Sequence, residues 1–272
     1  MGSLITLTTD FGLQDGYVGV MKGVILGIAP ACQLVDLSHD IAPQQVGAAA
    51  FVVYSAYRYF PPSTVHLVVV DPGVGTERRP IAVRTPRGLF VAPDNGVLGY
   101  VLDVEEEWDA VHLTERRFWL PAVSQTFHGR DIFAPCAAHL AAGVPLEQLG
   151  PSIGDPVLRP LPRPHAIDAR RVAGVALYID RFGNIVTNLP ADYRLAGRPA
   201  AEWGMALCAV AGSRRACGLL SAYGAAPAGA ALLLVGSSGF IEIALAQGNV
   251  AAAWDVCVGE PIVFEVHDLT QA

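Results

Sequence analysis

Residues 65–70 read VHLVVV and run straight into Asp71-Pro72-Gly73. A strand apolar at nearly every position is buried on both faces, as in a parallel sheet covered by helices. Working outward, residues 4–9 (LITLTT) form a second β-rich run that ends at Asp10-Phe11-Gly12, and residues 18–28 carry apolar side chains at helical spacing before Pro30. Residues 33–37 predict another strand, and the alanine-rich stretch 43–59 predicts another helix. Strands alternating with helices imply an α/β fold: an N-terminal, mainly parallel sheet flanked by helices, with ligand sites beyond the carboxyl ends of the strands. Asp10 and Asp71 stand at two such ends.

Residues 157–166 (VLRPLPRPHA) are dense in proline, which extends neither a helix nor a central strand. The chain is therefore read as an N-terminal α/β domain over 1–157, a Pro-rich linker over 158–166 and a C-terminal domain over 167–272. In the last of these, short β-rich stretches (172–179, 206–210, 231–235, 240–244 and 261–266) punctuated by glycine predict a smaller β-barrel.

The 272 residues are 52% hydrophobic and 16% charged, the composition of a packed globular protein, with a net charge of −7. No run of Lys or Arg offers the footprint that phosphate backbones require, so nucleic acid is not expected as a partner. Apolar stretches are far too short for a bilayer core of about 30 Å, so no membrane partner is expected either. The first residues lack a basic segment and a cleavage site, and a cytoplasmic protein is expected. Met1, Gly2 and Thr6 match the bare myristoylation pattern, which is read as coincidence. The five cysteines form no CxxC pair and are expected to be reduced core residues, and the seven histidines show no HxxxH or HExxH spacing, so no metal site is expected.

Five clusters carry polar groups suited to chemistry. Asp10, in TTDFG (8–12), can accept both hydroxyls of a ribose, or merely close an Asx-turn. Asp71, in DPGVGTERR (71–79), is delivered to a strand end, where a Pro-Gly turn lets an arginine face it. Such a pair either holds a polarised water or is a salt bridge over a turn. Phe127 and His128, in TFHGRDIFAP (126–135), precede a helix, and the imidazole is the side chain best placed to exchange a proton near neutrality, unless local hydrogen bonds satisfy it. Asn184 in DRFGN (180–184) offers the complement of an adenine edge, with Phe182 and Tyr223 as flat faces, although FGN alone also reads as a β-turn. Finally, GSSGF (236–240) has the hydroxyls and free N–H groups of a carboxylate nest.

TTDFG, DPGVGTERR, APDNG (92–96), TFHGRDIFAP, DRFGN and GSSGFIEIA (236–244), in this order across nearly the whole chain, resemble the S-adenosylmethionine (SAM) hydroxide adenosyltransferase family, relatives of the fluorinase and chlorinase. The resemblance implies hydrolysis of SAM to adenosine and L-methionine by attack of an activated water at C5′. SAM is then the substrate and no cofactor is required. It also implies a homotrimer with sites between neighbouring subunits. By similarity, Asp71, Arg78 and His128 match the water-positioning triad, with Arg78 preferred over Arg79 on motif position. Asp10 matches the ribose clamp, and Phe127 joins the substrate-binding residues. Phe182 and Asn184 look like adenine contacts, Tyr223 stacks, and the backbone near Asn249 and Val250 meets the adenine edge. Asp15, Asp180, Ser237 and Ser238 resemble contacts to the methionine amine and carboxylate. The halogenases have other residues where Asp71 and His128 stand, and the fluorinase has a longer insertion before APDNG. In this chain the spacing from Ser238 to Asn249 is longer, and Asp180 lies one position nearer FGN. The first two departures point to the hydrolase branch, and the two spacing departures bear on the methionine-end contacts; a halide adenosyltransferase and a non-catalytic adenosine or SAM sensor are the alternatives.

Overall fold

The computed structural model describes residues 3–267. It divides into two compact units, residues 1–160 and 161–272.

In the first unit, β1 (Leu4–Thr9), β2 (Gln33–Ser38) and β3 (Val65–Val69) are followed by β4 (Pro80–Thr85), β5 (Gly88–Pro93), β6 (Asp109–His112) and the short β7 (Ser152–Ile153). They form one sheet in the order β2-β1-β3-β5-β4-β6-β7. The β2–β1, β1–β3 and β3–β5 pairings are parallel, whereas β5–β4, β4–β6 and β6–β7 are antiparallel. The parallel half is the part whose apolar runs are legible in sequence. The antiparallel half arises because β4 returns beside β5 through a two-residue hairpin, Pro86-Arg87, which no helix interrupts.

Both faces of the sheet are covered. Helix α1 (Tyr17–Ile28) buries Val18, Met21 and Ile25, a helical stripe, and packs with α4 (Ala134–Ala141) over Ile5, Leu7, Leu67 and Val69. Helix α2 (Val46–Ala56) and α3 (Gly99–Val104) lie in the other core cluster, with Val68, Val70 and Phe90. Successive residues of β3 thus point into opposite cores, which is the reason the strand reads VHLVVV. His66 is the polar exception: it is fully buried, stacks on Phe90 and is pushed down to about 4 by burial, so it is a neutral core residue. Of the helix expected over 43–59, residues 46–56 form α2 and Tyr57–Tyr59 a 3₁₀ turn, while 43–45 are a turn before it.

The second unit is antiparallel throughout its named sheet pairings. It comprises β8 (His165–Ala166), β9 (Arg171–Ile179), β10 (Ile185–Pro190), the small ribbon β11 (Arg194–Leu195) and β12 (Arg198–Pro199), β13 (Leu207–Ala211), β14 (Arg214–Cys217), β15 (Ala231–Val235), β16 (Phe240–Leu245), helix α5 (Val250–Trp254) and β17 (Pro261–Val266). The main sheet runs β14-β13-β17-β9-β10-β16-β15, with β8 on the β9 edge. Its two ends are drawn together by Leu220 N–H donating to Leu233 and Leu233 N–H donating to Gly218, so the sheet is nearly closed as a barrel. Closure leaves little unpaired edge, and Ile185, Leu207, Ile241, Ile243 and Phe264 fill the interior.

Two cysteines correct the expectation of reduced thiols. Cys208 in β13 lies opposite Cys217 in β14, with a Cα–Cα distance of 4.1 Å, and the pair is a disulfide. Cys32, Cys136 and Cys257 are free, but Cys257 is exposed and no core residue. Hairpin register brings the first two together, and no spacing motif announces it. Among the described residues no helix is long and apolar enough to cross a membrane. Met1 and Gly2 of the myristoylation pattern lie outside the described residues, while Thr6 is buried in β1.

Candidate active site

The parallel register pairs Thr9 with Val69, so the residues that follow each strand, Asp10 and Asp71, emerge on the same edge of the sheet. Asp71 opens a turn-rich loop that returns as Arg78. Arg78 Nε donates to both carboxylate oxygens of Asp71, at 2.9 and 3.0 Å, and Nη2 donates to Oδ2 as well. The same Nη2 stands 2.9 Å from Nδ1 of His128. Side chains of Asp71 and Arg78 are only 6% and 9% exposed, so water screens the pair weakly. The guanidinium carbon also sits 5.0 Å from the centre of the Phe133 ring, a cation–π contact.

The close approach of the two loops depends on Gly75. Its φ is +77°, and a Cβ there would come within 2.5 Å of the Gln125 carbonyl oxygen. His128 is then held just before a π-helical turn, Gly129–Phe133, that leads into α4. Burial lowers the His128 pKa, and the Arg78 charge lowers it further, against the opposing pull of Asp71 and Asp131. An arginine only donates, so His128 Nδ1 accepts, and the neutral ring carries its proton on Nε2.

Asp71 and His128, though not Arg78, line a cavity of about 400 Å³ together with Asp10, Phe11, Tyr17, Gln44, Val74 and Phe127. Asp10 Oδ2 accepts the Gln44 N–H at 2.8 Å. Behind it, Thr9 Oγ1 is 2.8 Å from Nδ1 of His39, and the His39 carbonyl accepts Gly12 N–H, so the TTDFG loop is clasped at both ends. Phe127, Phe11 and Tyr17 form a ring cluster with centroids 5.0 to 5.8 Å apart. Asp15 is exposed and does not line this cavity.

The second unit has its own cavity, of about 630 Å³, lined by Asp180, Phe182, Asn184, Tyr223, Leu245, Gln247, Gly248 and Asn249. Phe182 is 76% exposed, and Tyr223 is partly exposed. Asp180 Oδ1 accepts the N–H groups of Phe182 and Asn184, each at 2.9 Å, and Oδ2 accepts the Asn184 side-chain amide at 2.8 Å. DRFGN is therefore both a self-bonded turn and a cavity wall. Asn249 caps α5 by accepting Ala252 N–H at 2.8 Å, and it lies so close to Gly183 that a Cβ there would sit 2.1 Å from its amide. Val250 is fully buried, and neither it nor Ser237 nor Ser238 lines the cavity. Ser238 Oγ is buried and has no hydrogen-bond partner among the described residues.

Sequence reading missed several residues at these cavities. Tyr17 and Gln44 belong to no motif. Asp131 lies inside TFHGRDIFAP but was given no role, yet it is fully buried and accepts Ser124 N–H and Oγ–H, holding the turn before His128. Glu242 interrupts the apolar strand FIEIA, which is its one sequence signal. It is buried, its pKa is pushed up by that burial, and it accepts the Tyr223 hydroxyl at 3.1 Å. Among the described residues no cluster of His, Cys, Asp or Glu is arranged to hold a metal ion.

Two family models match this chain: the SAM hydroxide adenosyltransferase N-terminal domain over residues 5–150, and the C-terminal domain of the same family over 174–263. The chain belongs to the SAM hydroxide adenosyltransferase family. Among its relatives, a protein of Salinispora arenicola (strain CNS-205) named (R)-S-adenosyl-L-methionine hydrolase is 35% identical, covering 95% of this chain and 96% of that one. A fluorinase of Actinoplanes sp. (strain N902-109) is 28% identical over 68% of this chain and 71% of its own. A crystal structure of an uncharacterized conserved protein from Thermotoga maritima superposes with a TM-score of 0.89 at 37% identity, covering 96% of this chain and 99% of that one.

Proposed function

We propose that this chain hydrolyses SAM to adenosine and L-methionine, with water attacking C5′ in line with the departing sulfur. The observation that carries the reading is the Asp71–Arg78–His128 chain of contacts, which converges beside a cavity containing Asp10. The sulfonium leaves as a neutral thioether, so no acid is needed there; the difficulty is the nucleophile. Arg78 favours a hydroxide-like oxygen, and His128, whose Nδ1 accepts from Arg78 and whose ring N–H is drawn to the Ser124 carbonyl, holds that guanidinium in place. Asp71 keeps acceptor capacity beyond its bonds to Arg78 and takes or orients the water proton. Attack forms the C5′–O bond, breaks C5′–S, leaves the electron pair on sulfur and releases one proton. Hydroxide and sulfonium cancel charge as they react, a change that a dry, apolar pocket assists.

Asp10 takes the ribose hydroxyls, and Phe127 closes that side. Phe182, Tyr223, Asn184 and the backbone at Asn249 and Val250 receive the adenine, while Asp15, Asp180, Ser237 and Ser238 serve the methionine end. Each copy then holds two partial sites, which supports a homotrimer whose complete sites form between neighbouring copies. The enzyme works in the cytoplasm, without a cofactor and without nucleic acid or membrane as partner. The relative named for the (R) form extends the proposal to stereochemistry, with the (R)-sulfonium epimer expected to turn over faster than the (S).

The test is to incubate the purified protein with each SAM epimer in ¹⁸O-water and follow products by chromatography and mass spectrometry. Adenosine carrying the label at O5′ is expected. Absence of adenosine, or label found solely in methionine, rules the reading out; a 5′-halo-adenosine formed with added chloride or fluoride would favour the halide branch.

A further inference from the structure

Resting on that reading, one motif still lacks a role: APDNG. Strand β5 lies between β3 and β4, parallel to the first and antiparallel to the second. The loop that carries Asp71 and Arg78 leaves β3, passes the carboxyl end of β5 and comes back as β4. The end of β5 therefore stands between the two roots of the loop, and Asp94-Asn95 follow it. Asn95 Nδ2 donates to the carbonyl of Val70 at 2.9 Å, one residue before Asp71, while its Oδ1 accepts Val97 N–H. Asp94 Oδ2 accepts Arg79 Nε at 2.9 Å, and Asp94 N–H donates to the Arg79 carbonyl at 2.9 Å, one residue after Arg78. Asp94 is buried, and its other oxygen accepts Val157 N–H at 2.6 Å. Arg79 is held on its far side by Asp155.

We infer that Asp94, Asn95 and Arg79 are positioning residues for the reaction: they pin both roots of the 71–78 loop to one strand end, so that Asp71 and Arg78 keep their aim at the water and at His128. A bare turn would let the loop breathe by an ångström, and misplacement of that size costs reaction rate far more than substrate affinity. The adjacent arginines thereby divide the work. Arg78 bonds Asp71 and His128, which line the cavity, and Arg79 holds the frame.

The experiment compares the wild-type protein with Asn95→Ala, Arg79→Ala and the milder Asn95→Ser and Arg79→Lys, which keep the fold testable if the first two fail to accumulate. Two measurements are made on each: steady-state kinetics, and NMR titration of the His128 ring, which is faced by Arg78, Asp71, the Arg130-paired Asp131 and, across the cavity, Asp10. The expected result is a fall in kcat of about 10- to 100-fold with KM within about twofold, partial recovery in Arg79→Lys, and a His128 titration that moves upward as Arg78 loosens. Unchanged kcat and an unmoved His128 titration overturn the inference, as does a loss of kcat that tracks only the folded fraction. The NMR arm needs no turnover, so it still judges the brace if wild-type protein makes no adenosine, the outcome that defeats the functional reading instead.

Discussion

The cavity of the first unit is built, whereas that of the second is waiting. Around Asp71, Arg78 and His128, charged groups satisfy one another out of water and are held by Gly75, Phe133 and Asp131. Around Phe182 and Tyr223, broad aromatic faces stand open to solvent, and Asp180 and Asn184 bond to their own turn. Electrostatic catalysis works when the groups aimed at developing charge need no reorganisation, which demands a prebuilt site. Stacking a planar base needs apolar area that the ligand itself covers, so such a site is exposed until occupied. The lesson is a division of labour: the Asp71–Arg78–His128 group of the first unit should govern kcat, and the Phe182–Tyr223 faces of the second should govern KM.

Asp71→Asn should give the largest effect. It keeps the shape but removes the charge that orients Arg78 and that, in the proposed mechanism, takes or orients the water proton, so kcat should fall by about 10³-fold with KM within a few-fold, as measured by initial rates of adenosine formation. Equal losses in kcat and in affinity would erase the contrast between the units.

The pH profile sharpens the same point. Burial and then the Arg78 charge hold His128 below the ordinary histidine value of 6.5, so the neutral ring persists to lower pH than usual. Protonation consumes the Nδ1 lone pair that Arg78 occupies. The rate should therefore be fully developed above 6.5 and fall, by about tenfold per pH unit, only once the pH drops through the lowered value. A kcat limb above 6.5 would contradict a ring buried beside a cation.

Phe182→Ala comes next, with KM rising about 10-fold and kcat nearly unchanged, because stacking on one base is worth about 1–3 kcal/mol. Tyr223→Phe should be smallest. It keeps the ring and removes only the bond to Glu242, so KM should rise about threefold, in line with a net hydrogen-bond contribution of about 0.5–1.5 kcal/mol. A kcat collapse in either variant would mean that the second unit acts on the chemistry.

Much of this contrast could be read from the chain. VHLVVV and LITLTT announced buried parallel strands, and so placed Asp10 and Asp71 at strand ends, because burial on both faces excludes polar residues until the strand stops. The roles of Asp131, Glu242 and Tyr17 are not legible in the sequence because they depend on partners that only the fold selects: Ser124 seven residues away, Tyr223 nineteen residues away, and Phe127 in a distant loop. Asp15, Ser237, Ser238 and Val250 stand outside the two cavities, and they came from motif resemblance at the methionine and adenine ends, where spacing departs from the fluorinase. The Cys208–Cys217 pair was invisible for a similar reason, since hairpin register is set by packing.

The amino-acid order by itself determined which segments are buried, where the chain turns, and which side chains have the chemistry to bind a nucleoside and activate water. Those properties are local: periodicity, proline, glycine and functional groups. Tertiary structure alone decided that Arg78 and not Arg79 meets Asp71 and His128, that APDNG grips both roots of that loop, and that half of the first sheet is antiparallel. Each is a choice among partners equally available along the chain, and such choices are settled by register and packing in three dimensions.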